Sequence, residues 1–280
     1  MIVPATVILL SVLTADRRNE VQTKARAAIK QATLRNDPWW ALPLFYVVFL
    51  GVLLTYSTVV AVLKTGYFHE PYISPIFSPC LAANCAHATF RLIGTWWFLS
   101  PALIVVLVPI GFRTTCYYYR KAYYRAFSLG RLPNFGPPAC AVREPTKKYS
   151  GETRFPFIIQ NLHRYFWYLM VANMVFLSWD TIRAFDFPDG WHVNVGSLVF
   201  AVMITTMTLY MLSCHSARHL LGGGIDVFSR RQSRYKIWKF ITRLNQRHGT
   251  YALLSLLWIP ITDLYVRLLA HGVIHDLRIL

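Results

Sequence analysis

Two histidines four residues apart, His215 and His219, close a long apolar run and open a strongly basic segment. On a helix that spacing puts both imidazoles on one face. Similar junctions between apolar and polar sequence carry Cys116, His163 and His248. Cys140 lies in the rigid turn Gly136-Pro137-Pro138-Ala139-Cys140. Such a set supports two redox chemistries. Two facing histidines hold haem b, and two cysteines with two histidines hold a Rieske-type [2Fe–2S] cluster, thiolates on one iron and imidazoles on the other. Zinc could use the same ligands, but has no obvious role at this location. The contrary reading is structural: interfacial histidines reach toward water, and cysteines pack as small buried residues. Cys214, beside His215, reads as such a packing residue. Spacing does not decide, because the set lacks the paired Cys-x-His and Cys-x-x-His arrangement of soluble Rieske domains.

The elements that position these residues follow from composition. Apolar residues make up 55% of the 280, charged residues only 15%, and the mean hydropathy is +0.38. A soluble chain carries about 25% charged residues, so the composition points to a lipid bilayer. The 16 Tyr and 9 Trp suit membrane–water boundaries. A net charge of +17 could serve nucleic acid, but here the cations alternate with apolar stretches, which excludes a basic nucleic-acid domain and fits a basic membrane face. No signal peptide is evident, since Ile2 to Leu13 lacks a preceding positive charge and is too short to span. No internal repeat or low-complexity tract stands out.

The expected fold is all-α, with five transmembrane helices. The spans run from about Leu42 to Leu63, Leu92 to Phe112, Tyr165 to Ala184, Val193 to Cys214 and Tyr251 to Ala270, each near the ~20 residues a bilayer requires. Pro101, Pro109 and Pro260 fall inside spans, where neighbouring helices absorb a kink. Residues 1–40 form an N-terminal interfacial segment whose stretch 15–37 reads as a basic amphipathic helix. Residues 41–275 form the bundle. Lys and Arg number 6 before the first span, 10 in the loop 113–164 and 8 in the loop 215–249, leaving 5 of 29 elsewhere. By the positive-inside rule the N-terminus and both loops are cytoplasmic, and the C-terminus is outside.

That topology sorts the reactive residues. His69, Cys80, Cys85, His87, His192, His271 and His275 fall outside, where Cys80 and Cys85 could form a local disulfide or remain thiols. Cys116, Cys140, His163, Cys214, His215, His219 and His248 fall at the cytoplasmic face. Asp263 and Arg267, four apart in the fifth span, read as an intrahelical pair, with a proton path that also takes in Asp180 as the sharper alternative. The run Tyr117-Tyr118-Tyr119-Arg120-Lys121-Ala122-Tyr123 could meet a partner protein, lipid headgroups or a quinone, with Tyr119, Arg120 and Tyr123 as quinone candidates.

The strings Arg113-Thr114-Thr115-Cys116-Tyr117-Tyr118-Tyr119-Arg120-Lys121, Pro137-Pro138-Ala139-Cys140-Ala141-Val142 and Cys214-His215-Ser216-Ala217-Arg218-His219 resemble those of actinobacterial one-chain membrane anchors of succinate dehydrogenase and fumarate reductase. The resemblance covers about residues 40 to 275. It implies a multi-pass subunit of the bacterial plasma membrane, bound to a flavoprotein subunit and an iron–sulfur subunit and passing electrons from succinate to quinone. A higher oligomer is open. The usual dihaem anchor has ligands on its first four spans, and this chain matches only at the fourth, through His215 or His219. One actinobacterial class carries a membrane-embedded Rieske-type cluster instead. The resemblance therefore favours such a cluster, with Cys116 and Cys140 on one iron and two of His163, His215, His219 and His248 on the other; His215 and His219 are the preferred pair. The rivals are a haem b anchor of the same complex and a five-span transporter or non-redox scaffold.

Overall fold

The computed structural model describes residues 41–80, 100, 102–119, 155, 157–225 and 227–280. The expected amphipathic helix, Cys85, His87, Arg120, Tyr123, Cys140 and most of the loop 113–164 lie outside the described residues. The chain divides into two compact units, Met1–Phe45 and Tyr46–Leu280. Everything below concerns the second, apart from the first residues of α1.

The described residues are mostly helical, with eight α-helices: α1 (Ala41–Val62), α2 (Ala102–Val105), α3 (Leu107–Thr114), α4 (His163–Arg183), α5 (Val195–Leu212), α6 (His215–Gly222), α7 (Gln232–Asn245) and α8 (His248–Ala270). Three are long and apolar enough to cross a membrane, over Leu44–Val62, Val195–Leu212 and His248–Ala270. Helix α4 has the length, 21 residues, but carries Asn173, Ser178 and Asp180 among its apolar residues. Helices α2 and α3 are parts of the second apolar run. Their break at Val106 has a local cause in Pro109, which has no N–H for the Val105 carbonyl and whose ring crowds it.

Outward-facing residues of the long helices are apolar. Val52 and Leu54 on α1 and Val175 on α4 are all more than 60% exposed. Water would penalise such surface, whereas hydrocarbon does not. The inner faces form one core in which α8 packs on α5, α5 on α4 and α4 on α3, filled by Met170, Met174, Phe200, Met203, Met207 and Tyr210. Gly111 makes the α3–α4 contact possible, since a Cβ there would lie 2.0 Å from the Phe166 ring.

Two short antiparallel hairpins close the opposite end from the site. β1 (Phe68–His69) pairs with β2 (Tyr72–Ile73), and β3 (Asp186–Phe187) pairs with β4 (Gly190–Trp191). The C-terminal tail returns to the start of α5, where Ile279 N donates to Val193 O and Val195 N to Leu277 O. Asp276 fastens this end by accepting from Tyr72 OH, Tyr265 OH, Asn194 Nδ2 and the Gly196 N–H. Burial raises its carboxyl, but those four donors outweigh it and hold the group below the usual carboxylate range.

The charged residues of the spans are bonded to protein. Arg267 Nε donates to Asp263 Oδ2 at 2.8 Å, and its remaining donors reach Thr65 O and Val60 O. Asp263, fully buried, also accepts from Tyr56 OH and Ser74 Oγ. Asp180 accepts from Ser78 Oγ. The intrahelical pairing expected for Asp263 and Arg267 is therefore made, inside a network that ties α8 to α1 and the first loop. Cys80 is buried and disulfide-bonded, whereas Cys116 and Cys214, at the other end of the bundle, are free thiols.

Candidate functional site

The site forms where α3 and α5 end and α4 and α8 begin. Helix α3 stops at Thr114, leaving Thr115 as its cap and Cys116 just beyond. Helix α5 stops at Leu212, with Ser213 as its cap, and Cys214 then takes an extended conformation, φ −66° and ψ 146°. His163 and His248 are the first residues of α4 and α8. Four helix ends thus deliver two thiols and two imidazoles to one level.

These groups meet in two crossed pairs. Cys116 Sγ lies 3.5 Å from His248 Nε2, and Cys214 Sγ lies 3.0 Å from His163 Nε2. The residue before each cysteine holds the other histidine. Thr115 Oγ1 is 2.9 Å from His163 Nδ1, and Ser213 Oγ is 2.8 Å from His248 Nδ1. Each hydroxyl already donates to a carbonyl of its own helix, Thr115 to Gly111 O at 2.7 Å and Ser213 to Tyr210 O at 3.0 Å. Each must therefore accept from its histidine, so the proton sits on Nδ1 and the Nε2 lone pair faces sulfur. Partners of this kind fix the tautomer and aim of metal-binding histidines. An aromatic ring one turn earlier completes each half: Phe112 stacks on His163 at 4.8 Å and 9°, Tyr210 on His248 at 5.3 Å and 20°.

The two halves share a short motif, aromatic-x-x-hydroxyl-Cys, read as Phe112-Arg113-Thr114-Thr115-Cys116 and Tyr210-Met211-Leu212-Ser213-Cys214. It is an internal repeat too short to register as one, and it was the available signal for Cys214. That residue is therefore a member of the site, not mere packing. Further bonds fix the frame: Asn245 Nδ2 donates to Ser213 O at 2.7 Å, and Trp167 Nε1 to Met211 O at 3.3 Å. Gly249 admits Tyr118, whose ring a Cβ would meet at 2.7 Å.

The expected pair His215 and His219 takes other partners, although His215 stays close enough to His163 and His248 to act on both electrostatically. The turn at Cys214 starts α6 on a new axis, so these two do not continue α5. Their rings lie 6.5 Å apart. Arg218 donates to His215 Nδ1 at 3.2 Å, and His219 meets the Trp238 edge at 5.4 Å. Burial first, then Arg218 and His219, lower His215 to about 4. Tyr119 is buried, and its hydroxyl donates to Ala252 O at 2.6 Å. Its hydrogen is thus already committed and not offered to a quinone carbonyl.

Three members of the site, Cys116, Cys214 and His163, are at most 3% exposed, and His248 is half-buried beside the Tyr210 and Tyr118 rings. Burial raises the Cys116 thiol, so in the absence of a metal Cys116 is a thiol, not a thiolate. Among the described residues no three His, Cys, Asp or Glu side chains converge as on a single ion. The arrangement is two pairs, which suits a two-centre group better than one ion.

The matching family model, over residues 41–272, is that of actinobacterial succinate dehydrogenase subunit SdhC. Among solved structures, the chain is similar to one in the Mycobacterium smegmatis Sdh1 complex in the apo form. The two share 40% identity over 88% of this chain and 94% of that one, with a TM-score of 0.74. No curated protein matches the chain.

Proposed function

The chain belongs to the actinobacterial succinate dehydrogenase subunit SdhC family and is a membrane-anchor subunit of that complex; we propose that it relays electrons from an iron–sulfur subunit to membrane quinone through a Rieske-type [2Fe–2S] cluster held by Cys116, Cys214, His163 and His248. The observation that carries this reading is the pair of crossed thiol–imidazole contacts, each imidazole presenting its Nε2 lone pair to sulfur. Two thiols and two imidazoles are the donor set of a Rieske-type centre. A dihistidine haem suits the geometry less, because neither Nε2 faces the other imidazole and each ring is stacked on an aromatic neighbour.

When bound, such a cluster accepts and donates one electron at a time. The chain's own residues do the rest. Cys116 and Cys214 give up their thiol protons on binding, as metal-ligating thiols must. Thr115 and Ser213 keep the Nδ1 protons in place and the Nε2 atoms aimed. Phe112, Tyr210 and Trp167 exclude water. Quinone reduction consumes two electrons and two protons, so a one-electron relay acts twice for each quinol formed, and the protons come from elsewhere. Electrons would originate in succinate oxidised on a flavoprotein subunit.

The membrane arrangement proposed is five spans in a bacterial plasma membrane, with N-terminus and site at the cytoplasmic side and C-terminus outside. The 24 Lys and Arg of the three cytoplasmic segments support it. So does the chemistry of the cysteines, oxidised at Cys80 and free at Cys116 and Cys214.

Affinity purification of the tagged chain from its own membranes tests the whole reading. The expected result is a flavin-containing complex whose succinate-reduced EPR spectrum includes a Rieske-type signal. A haem α-band without that signal would replace the cluster by haem. A colourless, flavin-free protein would leave a transporter or scaffold.

A further inference from the structure

We propose that Arg113, acting with Tyr210, is the built-in counter-charge of the thiol–imidazole site and holds its reduction potential up. This inference rests on the cluster reading above. Arg113 projects from the last turn of α3, and its carbonyl accepts from the Cys116 N–H at 3.1 Å. Its guanidinium enters the core and contacts no carboxylate among the described residues. It donates to Tyr119 OH, to Ala252 O at 3.3 Å and to Ser255 Oγ at 3.2 Å, and touches Met207 Sδ at 3.5 Å. Two ring faces take the rest of its charge, with the guanidinium carbon 4.9 Å from the Tyr210 centroid and 5.4 Å from that of Tyr119.

A permanent cation placed in a low-dielectric interior with only neutral partners is costly. Neutral dipoles and ring faces recover part of that cost. The rest favours negative charge arising nearby, and no described carboxylate supplies it. The site is within the guanidinium's reach, since Arg113 acts electrostatically on the Cys116 thiol. Tyr210 lies between, one face under the guanidinium and the ring stacked on His248. With two thiolates and two neutral imidazoles as ligands, an oxidised cluster there would carry no net charge and its one-electron reduced form would be an anion, which is the form the guanidinium would favour.

The Tyr210 hydroxyl gives the second, independent observation. Tyr210 is 1% exposed, and its oxygen has no partner in full hydrogen-bond geometry among the described residues. It lies close enough to the Cys116 sulfur to act on it as a donor, short of full hydrogen-bond geometry. A buried hydroxyl left unpaired is expensive, and thiolate sulfur is the acceptor that would pair it. Net charge and hydrogen bonds to sulfur are among the factors that set the potential of iron–sulfur centres. Both features favour the reduced form, and neither moves a proton or forms a bond as the electron arrives.

The experiment is an EPR-monitored redox titration of the intact purified complex, with iron and acid-labile sulfide assayed alongside. Arg113→Gln keeps hydrogen-bond donors but removes the charge, and is expected to shift the midpoint to more negative potential at unchanged iron content. Arg113→Lys keeps the charge and is expected to return most of the shift. Tyr210→Phe keeps the ring and is also expected to shift the midpoint negative. If Arg113→Gln does not assemble, Tyr210→Phe decides. An unmoved midpoint in these variants, with the parental signal present, overturns this inference alone. A parent complex with no such signal overturns the cluster reading and this inference with it.

Discussion

Replacing Thr115 by Val keeps the shape of the side chain and removes only the oxygen that accepts from His163 Nδ1 at 2.9 Å. His163 is 3% exposed, so water cannot take over the bond. An unsatisfied buried donor costs about 1–3 kcal/mol. At 1.4 kcal/mol per tenfold, that is about a 5- to 150-fold weaker hold on a metal bound at Nε2. The alternative open to the ring is to move its proton to Nε2, which removes the ligating lone pair altogether. Ser213→Ala makes the matching change at His248, where the bond is 2.8 Å. Loss of a hydrogen bond behind a metal ligand costs about 10–100-fold in metal affinity in other proteins, within the same range. The assay is the rate at which an iron chelator strips the purified complex, followed by iron per flavin and by EPR. Each single variant is expected to lose iron faster, and the pair together to retain little. Parental iron retention in both single variants would refute the argument that these hydroxyls orient the ligands.

Three further outcomes follow from the packing. Gly111→Ala would set a Cβ 2.0 Å from the Phe166 ring, an overpacking worth about 1–3 kcal/mol; a lower melting temperature and reduced iron content are expected, and an unchanged melting curve would contradict the tight α3–α4 contact. Arg267→Met would strand the buried Asp263 carboxylate at a cost of about 3–5 kcal/mol, and adding Asp263→Asn should recover part of it; a double variant as unstable as the single would exclude the pairing as the cause. Asp276 has a folded pKa below its unfolded value, because Tyr72, Tyr265, Gly196 and Asn194 donate to the ionised form. Its contribution is therefore present above the ordinary carboxylate range, from 3.8 upward, and is lost as pH falls through the lower folded value. Detergent-solubilised Asp276→Asn should accordingly melt lower than the parent near neutrality, with the gap closing in acid; a gap that widens in acid would reverse the assigned sign.

The apolar runs and cation counts made the long helices legible, because length and hydropathy are local properties. Helix α4 was legible by length despite Asp180 and Asn173, whose polarity keeps it below the threshold that the other three pass. Cys116, His163 and His248 could be read as residues of one depth, since each lies at a junction between apolar and basic sequence, and the structure gathers all three. The partner of each was not legible. The crossing of Thr115–Cys116 with Ser213–Cys214 arises only once α4 packs between α3 and α5. His215 and His219 drew attention through helical spacing that assumes a continuous helix, and the extended backbone at Cys214 breaks it. That break turns Cys214 into the site and sets the histidine pair on α6, with His215 still near His163 and His248. The repeated aromatic-x-x-hydroxyl-Cys string was present throughout, but five positions with one identical residue carry little weight until both copies are seen to do the same work.

The central claim is that Cys214 and His163, not His215 and His219, complete the site. It is tested most directly by one comparison: succinate-reduced EPR spectra of the purified complex carrying Cys214→Ser beside the complex carrying both His215→Gln and His219→Gln. The account predicts that Cys214→Ser abolishes the Rieske-type signal while flavin still co-purifies, and that the double histidine variant keeps the signal. A signal that survives Cys214→Ser and disappears with the two histidines would contradict it.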